Sequence, residues 1–435
     1  MGQGPKRTEG RDLRIGLAGL GTVGCGLIEC LARRPEFAPS GRRAQIAAVS
    51  ARSRSRRRSI DISPFVWFDD PVALARSDGI DLFVELIGGS NGPARASVEA
   101  ALLAGKPVVT ANKALIAEHG AELALLAERS GAPLLFEAAV MGGAPAVKML
   151  REAMVGDEVV RIAGVLNGTC NFILSEMEAS GRPFAEVLAE AKRSGYAETD
   201  PSMDIGGFDA GHKIAILAAL AFGCAPSLEA VEIEGIEAIE LIDLRLAGAL
   251  GYKIRLVASA VRSGKGVRLR VHPALAPVTH PLAGGGVDNA LVIEGTSIGR
   301  ILIQGPGAGG GPTAAAVAAD IADVMTGAVR PVFQRPASRL VRASSPDAAH
   351  SLIRAFLRLT VKDEPGVIAA VSETLAEAGV SIDSFLQRPT DGQAGVPIVL
   401  TTHEVAEDRL DEAVGRIAAL PSLIEPPRRI RLAPL

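Results

Sequence analysis

Cysteine and aromatic residues are scarce in this chain of 435 residues. The four cysteines are Cys25, Cys30, Cys170 and Cys224, and no two of them have the C-x-x-C spacing of a zinc or redox motif. The six histidines are dispersed, so neither a disulfide framework nor a structural zinc site is expected. This cysteine usage suits a reducing compartment, and we expect a cytoplasmic protein. One Trp, two Tyr and twelve Phe are too few for platforms that stack nucleic-acid bases.

Long apolar segments and an excess of one charge are also lacking. The longest apolar run, Ile214–Phe222, is far shorter than the roughly 20 residues of a membrane-spanning helix. The net charge of −3 argues against a nucleic-acid or membrane partner. Residues 1–12 are charged and have no apolar core of a secretory signal, so we expect a disordered leader there.

From Leu13 onward, the apolar pattern alternates between strand and helix. Strands are predicted at Leu13–Gly19, Gln45–Ala51, Asp81–Gly89, Lys106–Asn112 and Ala132–Val140. Helices are predicted at Thr22–Arg34, Ala94–Ala104 and Ala114–Arg129. Such alternation predicts a doubly wound α/β domain of the Rossmann type over residues 13–145, with a parallel sheet covered on both faces. A glycine loop at Gly305–Gly311 leads into a helix predicted at 312–326, which we expect to return to this domain.

The pattern changes after about residue 145. Residues 146–304 contain a strand, two helices and a hairpin, predicted at Val159–Asn167, 184–194, 208–223 and Lys253–Pro273 with a turn at Ser263–Gly266. This mixture predicts an α+β domain. Residues 330–351 mix Pro, Ser and charge and are interpreted as a linker. Residues 352–432 follow the order βαββαβ, which predicts a ferredoxin-like module.

Gly19, Gly21 and Gly24 form a G-x-G-x-x-G motif between the first predicted strand and the first predicted helix. In that context glycines let the chain turn tightly and bring backbone N–H groups close to a pyrophosphate at the helix N-terminus. The motif therefore predicts a dinucleotide site. The alternative is a glycine turn that only packs the helix on the strand.

The end of the second strand decides between NAD and NADP. An NAD site usually has an acidic residue there for the ribose 2′-hydroxyl, yet no Asp or Glu occurs from Phe37 through Ile60. The strand instead runs into the arginine-rich segment Arg52–Arg58. Because a guanidinium pairs well with a 2′-phosphate, we predict NADP preference with Arg52 as its contact, NAD being the alternative. Most of the other arginines in this segment are expected to lie in a solvated basic loop.

Two polar segments end predicted parallel strands, where ligands bind in such sheets. They are Val84–Gly89, with Glu85, and Thr110–Lys113, whose lysine can reach a carbonyl oxygen or lie on the surface as an ordinary helix-start residue. A third segment, Tyr196–Asp204, is rich in carboxylates and precedes Asp209 and Lys213, which share one helix face. A partly buried Lys213 beside a carboxylate is a candidate proton carrier or a structural ion pair.

Seven segments carry a resemblance to a known family. They are GLGTVG, VELIGG, TANKALIA, EAAVMGGAP, GVLNGTCNFIL, YAETDPSMDIGGFDAGHK and GPGAGGGPTAAAV, which span Gly19 to Val317 in family order. On these motifs the chain resembles homoserine dehydrogenase in the form with a C-terminal ACT domain. The tail AFLRLTVKDEPGVIAAVSETLAEAGVSI is similar to an ACT domain, whose usual role is to bind a small amino acid.

The resemblance implies reduction of L-aspartate 4-semialdehyde to L-homoserine with NADPH or NADH, and the reverse reaction, in the biosynthesis of threonine, methionine and isoleucine. By motif match, Lys213 is the proton donor and Lys113 the second lysine at the reacting oxygen. Glu198, Asp209 and Asp204 are the candidate substrate-binding carboxylates. Motif and resemblance together give these candidate cofactor contacts: Gly19, Gly21, Thr22, Val23, Gly24, Arg52, Gly88, Lys113, Gly195, Gly307 and Gly309.

The resemblance also implies a monovalent cation such as Na⁺, held by backbone carbonyls of Glu137, Val140, Gly142 and Ala144. It implies that residues 146–304 form the substrate-binding, catalytic and dimerisation domain. It also implies a homodimer or homotetramer and an amino-acid effector of the ACT module. The turn at Gly366 predicts threonine as that effector, because N–H groups there can receive a carboxylate. Two other functions stay open: an amino-acid sensor without catalysis, and an acylating semialdehyde dehydrogenase with Cys170 as nucleophile. Cys170 lies in NGTCN, where the resemblance implies a structural turn.

Overall fold

The structure is a computed structural model, and it describes residues 11–34, 42–263, 266–328, 330–343, 351–387 and 395–434. The strands within these residues are β1 (Leu13–Ala18), β2 (Ala44–Ser50), β3 (Val66–Phe68), β4 (Leu82–Glu85), β5 (Val108–Thr110), β6 (Leu134–Leu135), β7 (Val159–Val165), β8 (Val231–Ile233), β9 (Tyr252–Ser263), β10 (Gly266–Pro277), β11 (Asn289–Gly295), β12 (Gly299–Gly305), β13 (Leu352–Ile353), β14 (Ala355–Val361), β15 (Ile382–Gln387), β16 (Val396–Thr402), β17 (Val405–Ala406) and β18 (Arg428–Leu432). The helices are α1 (Thr22–Arg33), α2 (Pro71–Arg76), α3 (Pro93–Leu103), α4 (Lys113–Ser130), α5 (Ala138–Met141), α6 (Ala146–Lys148), α7 (Gly168–Ser180), α8 (Phe184–Arg193), α9 (Ser202–Ile205), α10 (Phe208–Phe222), α11 (Leu241–Ala249), α12 (Gly310–Thr326), α13 (Val367–Glu377) and α14 (Glu407–Ala418). In the residues described, no helix combines the length and apolar character needed to cross a membrane.

The chain forms two compact units, each built from three segments. The first unit is residues 1–160, 211–231 and 293–343, and the second is residues 161–210, 232–292 and 344–435. The predicted domain boundaries stay a prediction, because these units group residues by contact rather than by chain order. Most of the predicted leader (residues 1–10) and part of the predicted linker (residues 344–350) lie outside the described residues, as do the two residues at the tip of the predicted hairpin (264–265).

The first unit contains a six-stranded sheet with the order β3-β2-β1-β4-β5-β6. Each neighbouring pair is parallel, which is the strand order of a dinucleotide-binding Rossmann sheet and confirms the predicted fold class. The central strands are buried on both faces because helices cover the sheet from both sides. Topology therefore brings the ends of β1, β4 and β5 to one edge, where a ligand binds in such sheets.

Helix α12 packs against α1 in the first unit, which is the return predicted for the helix at 312–326. The two helices approach closely at Gly26 and Gly310: a Cβ on Gly26 would lie 2.8 Å from the Gly310 carbonyl oxygen. Ala314, Val317 and Ile321 of α12 join the same apolar core as Leu17 and Leu27. Glycine at both crossing points is therefore what lets α12 sit beside the first strand–helix turn.

The second unit contains a sheet with the order β11-β7-β9-β10-β18-β14-β16-β15. The predicted hairpin is confirmed, since β9 and β10 pair antiparallel from Gly266–Ser263 to Pro277–Tyr252. Strands β18, β14, β16 and β15, with α13 and α14, form the predicted ferredoxin-like module with its own apolar core. This module continues the sheet of the preceding residues, because β18 pairs parallel with β10.

Several predictions of local structure were wrong or incomplete. The strand predicted at Ala132–Val140 is only β6, and Ala138–Met141 forms α5 instead. This apolar run is buried throughout, so its periodicity could not distinguish strand from helix. The turn expected around Cys170 is the first turn of α7, which Asn167 caps by accepting the Cys170 N–H at 2.8 Å. Elements that were not predicted also include β3, β8, β11, β12, β13, β17, α2, α6, α7, α9 and α11.

Candidate active site

The three glycines between β1 and α1 have different environments. Gly19 has φ of +106°, and a Cβ there would lie 2.2 Å from the Leu86 carbonyl oxygen. A Cβ on Gly24 would lie 2.1 Å from the Gly19 carbonyl oxygen, whereas one on Gly21 would meet nothing within 4 Å. The first and third glycines thus allow the turn to pack, and the second faces open space. Gly21 also precedes α1 without a side-chain cap, so the first N–H groups of α1 are suited to an anion.

A cleft of about 670 Å³ borders this turn. Its lining combines the turn and α1 with residues from two other segments, namely Arg56–Ser59 and Gly310–Gly311. Arg56 and Arg57 line the cleft, whereas Arg52 is exposed and is not among the lining residues described. The cleft is therefore basic on the side where the adenosine end of a dinucleotide lies in a Rossmann domain.

Arg58 holds the arginine-rich loop in shape. Its guanidinium donates hydrogen bonds to the carbonyl oxygens of Ser53 (2.5 Å) and Arg56 (2.8 Å). Arg54 and Arg58 both lie 5.9 Å from the ring centroid of Trp67, which is a cation–π distance. Arg58 also lines the cleft, but it is engaged in loop structure, as is Arg54. Arg56 and Arg57 are the two lining arginines of the loop whose side chains make no such contacts among the described residues.

Glu85 is fully buried at the end of β4 and accepts three hydrogen bonds. Its Oε1 accepts from the N–H groups of Ile87 at 2.7 Å and Gly88 at 3.1 Å. Its Oε2 accepts from the hydroxyl of Thr110 at the end of β5, at 2.5 Å. This one carboxylate therefore shapes the loop after β4 and ties it to the neighbouring strand.

Asn112 extends this network to the start of α4. Its N–H donates to Thr110 Oγ1 at 2.9 Å, and its side-chain amide donates to the Gly89 carbonyl at 2.7 Å. Its Oδ1 caps α4 by accepting the Leu115 N–H at 3.1 Å. Lys113 is the first residue of α4, so Glu85, Thr110 and Asn112 together fix its backbone. The sequence predicted the polar segments Val84–Gly89 and Thr110–Lys113 but not the hydrogen bonds that join them.

Lys213 lies on α10, one turn after Asp209. It is only 8% exposed, which agrees with the burial predicted from the apolar run that follows it. Burial of a lysine is rare without a partner or a function, because removing an ammonium group from water is costly. The two candidate lysines therefore differ in setting: Lys113 begins a helix at the sheet edge, and Lys213 is buried within one.

A polar cluster in the second unit centres on Asn167, which follows β7. Its amide nitrogen lies 2.8 Å from Asp204 Oδ1 and 2.8 Å from Asp209 Oδ2. Two of the three predicted substrate carboxylates are thus brought together by one amide. Glu198 is exposed, and no hydrogen bond or ion pair links it to another side chain in the described ranges. Asn167 was missed from sequence, although an Asn three residues before a buried helix turn signals a cap.

The predicted cofactor residue Gly195 and the alternative nucleophile Cys170 both lie near this cluster. The Thr169 hydroxyl donates a hydrogen bond of 2.8 Å to the carbonyl oxygen of Tyr196, the residue that follows Gly195. Gly195 has φ of +77° with open space around it, which suits close approach of a ligand. Cys170 is buried and its thiol lies 3.1 Å from the Asp204 carbonyl oxygen, so it supports the cluster and is not presented as a nucleophile.

The residues predicted to hold a cation lie together in the first unit. Glu137, Val140, Gly142 and Ala144 are all buried. Gly142 has φ of +55°, and a Cβ there would lie 2.8 Å from the carbonyl carbon of Gly307, a predicted cofactor residue. In the part of the chain described, no cluster of three or more His, Cys, Asp or Glu side chains could hold a metal. The donors available here are backbone oxygens, which suit a hard cation.

The Glu137 carboxylate has a structural role at this position. It accepts hydrogen bonds from the backbone N–H groups of Val147 at 3.1 Å and Lys148 at 2.7 Å. Burial, with nearby Asp320, raises its pKa to about 7. The Glu137 N–H in turn donates to Asp320 on α12 at 2.8 Å. These bonds fix the turn that carries the four candidate carbonyls.

Comparison with known proteins identifies the family. The NAD-binding domain model of homoserine dehydrogenase matches residues 19–137, the homoserine dehydrogenase model matches residues 145–322, and the ACT domain model matches residues 355–422. A homoserine dehydrogenase of Pseudomonas aeruginosa is 40% identical over 439 residues, covering 98% of this chain and 100% of that protein. The chain belongs to the homoserine dehydrogenase family. One from Corynebacterium glutamicum is 37% identical, covering 96% of this chain and 95% of that protein.

Solved structures of the homoserine dehydrogenase family share the fold. One from Thiobacillus denitrificans has a TM-score of 0.89 and 38% identity, and the match covers 98% of this chain and 99% of that one. A hyperthermophilic archaeal homoserine dehydrogenase mutant in complex with NADPH has a TM-score of 0.63 and 31% identity, over 73% of this chain and 98% of that one. The chain is thus an oxidoreductase with a nicotinamide-cofactor domain and a C-terminal ACT domain.

Proposed function

We propose that this homoserine dehydrogenase interconverts L-aspartate 4-semialdehyde and L-homoserine with NADP(H), in the cytoplasmic synthesis of threonine, methionine and isoleucine. The observation that supports this proposal most is the set of reactive groups that the chain carries. A glycine turn at a Rossmann sheet edge occurs with two lysines, one of them buried, and with a pair of aspartates joined by Asn167. These groups match the needs of a reaction that transfers a hydride and a proton to an amino-acid aldehyde.

When bound, the reduced nicotinamide would supply a hydride to the aldehyde carbon, which places negative charge on the aldehyde oxygen. In our proposal Lys213 donates its proton to that oxygen, and the ammonium group of Lys113 stabilises the negative charge. Asp209, Asp204 and Glu198 pair with the α-ammonium group of the substrate. In the reverse direction, Lys213 in its neutral form would take the hydroxyl proton of homoserine, and the oxidised nicotinamide would accept the hydride from the same carbon.

The proposed preference for NADP rests on the arginine-rich loop. Arg56 and Arg57 line the cleft, Arg52 is an exposed arginine that follows β2, and a 2′-phosphate is a dianion that guanidinium groups pair with well. The related archaeal enzyme is described in complex with NADPH. Initial rates with NADP and with NAD test this: Arg57→Ala and Arg52→Asp should each lower kcat/KM for NADP tenfold or more and leave NAD unchanged. Arg54→Ala, at a position stacked on Trp67, is the control for loss of positive charge elsewhere in the loop. Equal rates of the wild type with both cofactors would contradict the preference.

The remaining contacts in the proposal follow the glycine-rich segments. Gly19, Gly21, Gly24, Thr22 and Val23 surround the pyrophosphate, and Gly88, Lys113, Gly195, Gly307 and Gly309 contact the rest of the cofactor. A monovalent cation such as Na⁺ would be held by the carbonyls of Glu137, Val140, Gly142 and Ala144. The Ala144 carbonyl already accepts the Ala146 N–H at 2.8 Å, and its second lone pair is available for a cation. Replacing Na⁺ by tetramethylammonium in the assay tests this role, with lower activity expected.

Amino-acid control through the ACT domain is the regulatory part of the proposal. Gly366 precedes α13 with φ of +92° and without a side-chain cap, so N–H groups at this turn can receive a carboxylate. We propose threonine as the effector and a homodimer or homotetramer as the assembly. Threonine titration should lower the activity of the wild type and raise its melting temperature. No change in either would contradict this effector.

A further inference from the structure

The second unit contains a cavity of about 420 Å³ between the β9–β10 hairpin and the C-terminal module. Its floor is one face of the hairpin: Arg268, Arg270 and His272 alternate along β10 and therefore share a side of the sheet. Its other walls come from the C-terminal module and are Leu352–Arg354, Glu404 and Arg431–Pro434. The cavity thus has the size of a small-molecule site and touches both parts of the unit.

Most of the arginines in this cavity are paired. Arg270 donates to Glu232 at 2.7 Å and to Glu407 at 2.6 Å. Arg431 donates to Glu407 at 2.8 Å and 2.5 Å. Arg354 donates to Asp383 at 2.9 Å. These pairs neutralise one another and hold the walls of the cavity together.

Two charged residues of the cavity, Arg268 and Glu404, differ from these pairs. Arg268 makes no hydrogen bond or ion pair within the residues that the structure describes, and its Nε is buried without a partner. Burial and the neighbouring charge of Arg270 lower the pKa of Arg268, and the more distant carboxylates of Glu232 and Glu407 oppose this shift only in part. Glu404 is likewise without a hydrogen bond or ion pair to any described residue, and the two charges are not paired with each other. One cavity therefore presents a guanidinium whose Nε is buried without a partner and an exposed carboxylate that pairs with no described residue.

We propose that this cavity binds a free α-amino acid, with its carboxylate on Arg268 and its ammonium group facing Glu404. A planar guanidinium can bind a carboxylate through two hydrogen bonds, and a carboxylate is the natural acceptor for an ammonium group. Val261, Leu275 and Ile353 supply apolar wall for the side chain. The ligand touches both β10 and the segments around β13 and β17, so it stabilises the docking of the C-terminal module.

This inference rests on the proposed amino-acid control and assigns it a second site, apart from the turn at Gly366. The site links the module to β10, a strand that also pairs directly with β18. An amino acid bound here would change the stability of that junction. Binding can therefore be measured without turnover.

The test uses the full-length chain and each of the twenty L-amino acids as probes. A thermal-shift screen selects the amino acid with the largest increase in melting temperature, and calorimetric titration then gives its Kd. Arg268→Gln and Glu404→Gln should each weaken binding at least tenfold, and Arg268→Lys should weaken it less. Arg262→Gln on the same hairpin and Glu412→Gln on α14 lie outside the cavity and should bind as the wild type does. The N-acetyl and α-amide derivatives of the probe should not bind.

The possible negative results distinguish the cavity site from amino-acid control through the Gly366 turn. If Arg268→Gln and Glu404→Gln keep the wild-type affinity while Gly366→Ala loses it, the cavity is not the site and control through the Gly366 turn stands. If none of the twenty amino acids binds, both the cavity and the amino-acid control are wrong. Homoserine oxidation measured without any effector reports on the dehydrogenase reaction in either case, and it should be unchanged in Arg268→Gln and Glu404→Gln.

Discussion

The carboxylate of Glu85 and the hydroxyl of Thr110 are joined by a hydrogen bond of 2.5 Å, across the ends of two neighbouring parallel strands. The bond is buried, and both residues are fully shielded from water. It links the loop that follows β4 to the turn that begins α4 and its Lys113. The backbone position of Lys113 in the proposed reaction centre therefore depends on a buried carboxylate one strand away.

Replacing Thr110 tests this link. Thr110→Val keeps the shape but leaves Glu85 with one donor fewer and the Asn112 N–H without its acceptor, which should cost about 1–3 kcal/mol of unfolding free energy. Thr110→Ser keeps the hydroxyl and should cost less than about 1 kcal/mol. Urea denaturation measures both. We also expect kcat to fall in Thr110→Val and to recover in Thr110→Ser, and equal kcat values for the two variants would contradict the link.

The glycine turn gives a prediction with an internal control. Gly19→Ala places a Cβ 2.2 Å from the Leu86 carbonyl oxygen at a φ of +106°, so it should destabilise the first unit and abolish cofactor binding. Gly21→Ala meets no atom within 4 Å and should leave the melting temperature unchanged. It should still raise the KM for the cofactor, because a methyl group there blocks the approach of the pyrophosphate. Unchanged cofactor KM in Gly21→Ala would show that the open side of the turn is not the cofactor side.

Asn167 should act on the substrate and not on the cofactor. Asn167→Asp keeps an oxygen to cap α7 but replaces the amide donor that Asp204 and Asp209 share. Hydrogen bonds to charged groups contribute about 1.5–3 kcal/mol, so KM for homoserine should rise tenfold or more. KM for NADP should change less than about twofold by the same reasoning. A larger effect on the NADP KM than on the homoserine KM would contradict a substrate role for this cluster.

His272 gives a prediction about acid stability. Burial, reinforced by Arg431, lowers its pKa from 6.5 to about 3. The unfolded chain therefore binds a proton below pH 6.5 that the folded chain does not bind until about pH 3, and stability falls as the pH falls through this window. One such group contributes about 1.4 kcal/mol per pH unit.

His272→Asn should remove this contribution. Between pH 6.5 and pH 5 the wild type should lose about 2 kcal/mol more unfolding free energy than the variant. His403→Asn, at an exposed position, is the control and should follow the wild type. Chemical denaturation at several pH values measures the difference, and parallel curves for the wild type and His272→Asn would contradict the buried, neutral histidine.

Sequence periodicity was enough for the Rossmann sheet and the ferredoxin-like module, because both are built from long amphipathic helices and from strands with clear apolar runs. It failed for the stretch Phe136–Met141, which is buried on every side and so has no polar face to set a period. It also missed α7, whose first residues, Gly168 and Thr169, have low helix propensity and depend on the Asn167 cap.

The sequence likewise predicted only some of the residues of the candidate site. Motifs identified Lys113, Lys213, Asp204 and Asp209, because their spacing along the chain is fixed. The roles of Glu85 and Asn167 depend on bonds to residues 25 and 42 positions away, and no local pattern reports such bonds. Likewise, the cation–π contacts of Arg54 and Arg58 are made with Trp67, a residue outside the loop.

The central claim is tested most directly by the formation of NADPH from L-homoserine and NADP, followed by absorbance with purified protein at mildly alkaline pH. The wild type should produce NADPH only when homoserine is present. Lys213→Ala should lose at least 100-fold in kcat, as is typical when a general acid–base group is removed, while still binding NADPH by fluorescence titration. Absence of homoserine-dependent NADPH in the wild type, or an unchanged rate in Lys213→Ala, would contradict the proposed reaction and its proton donor.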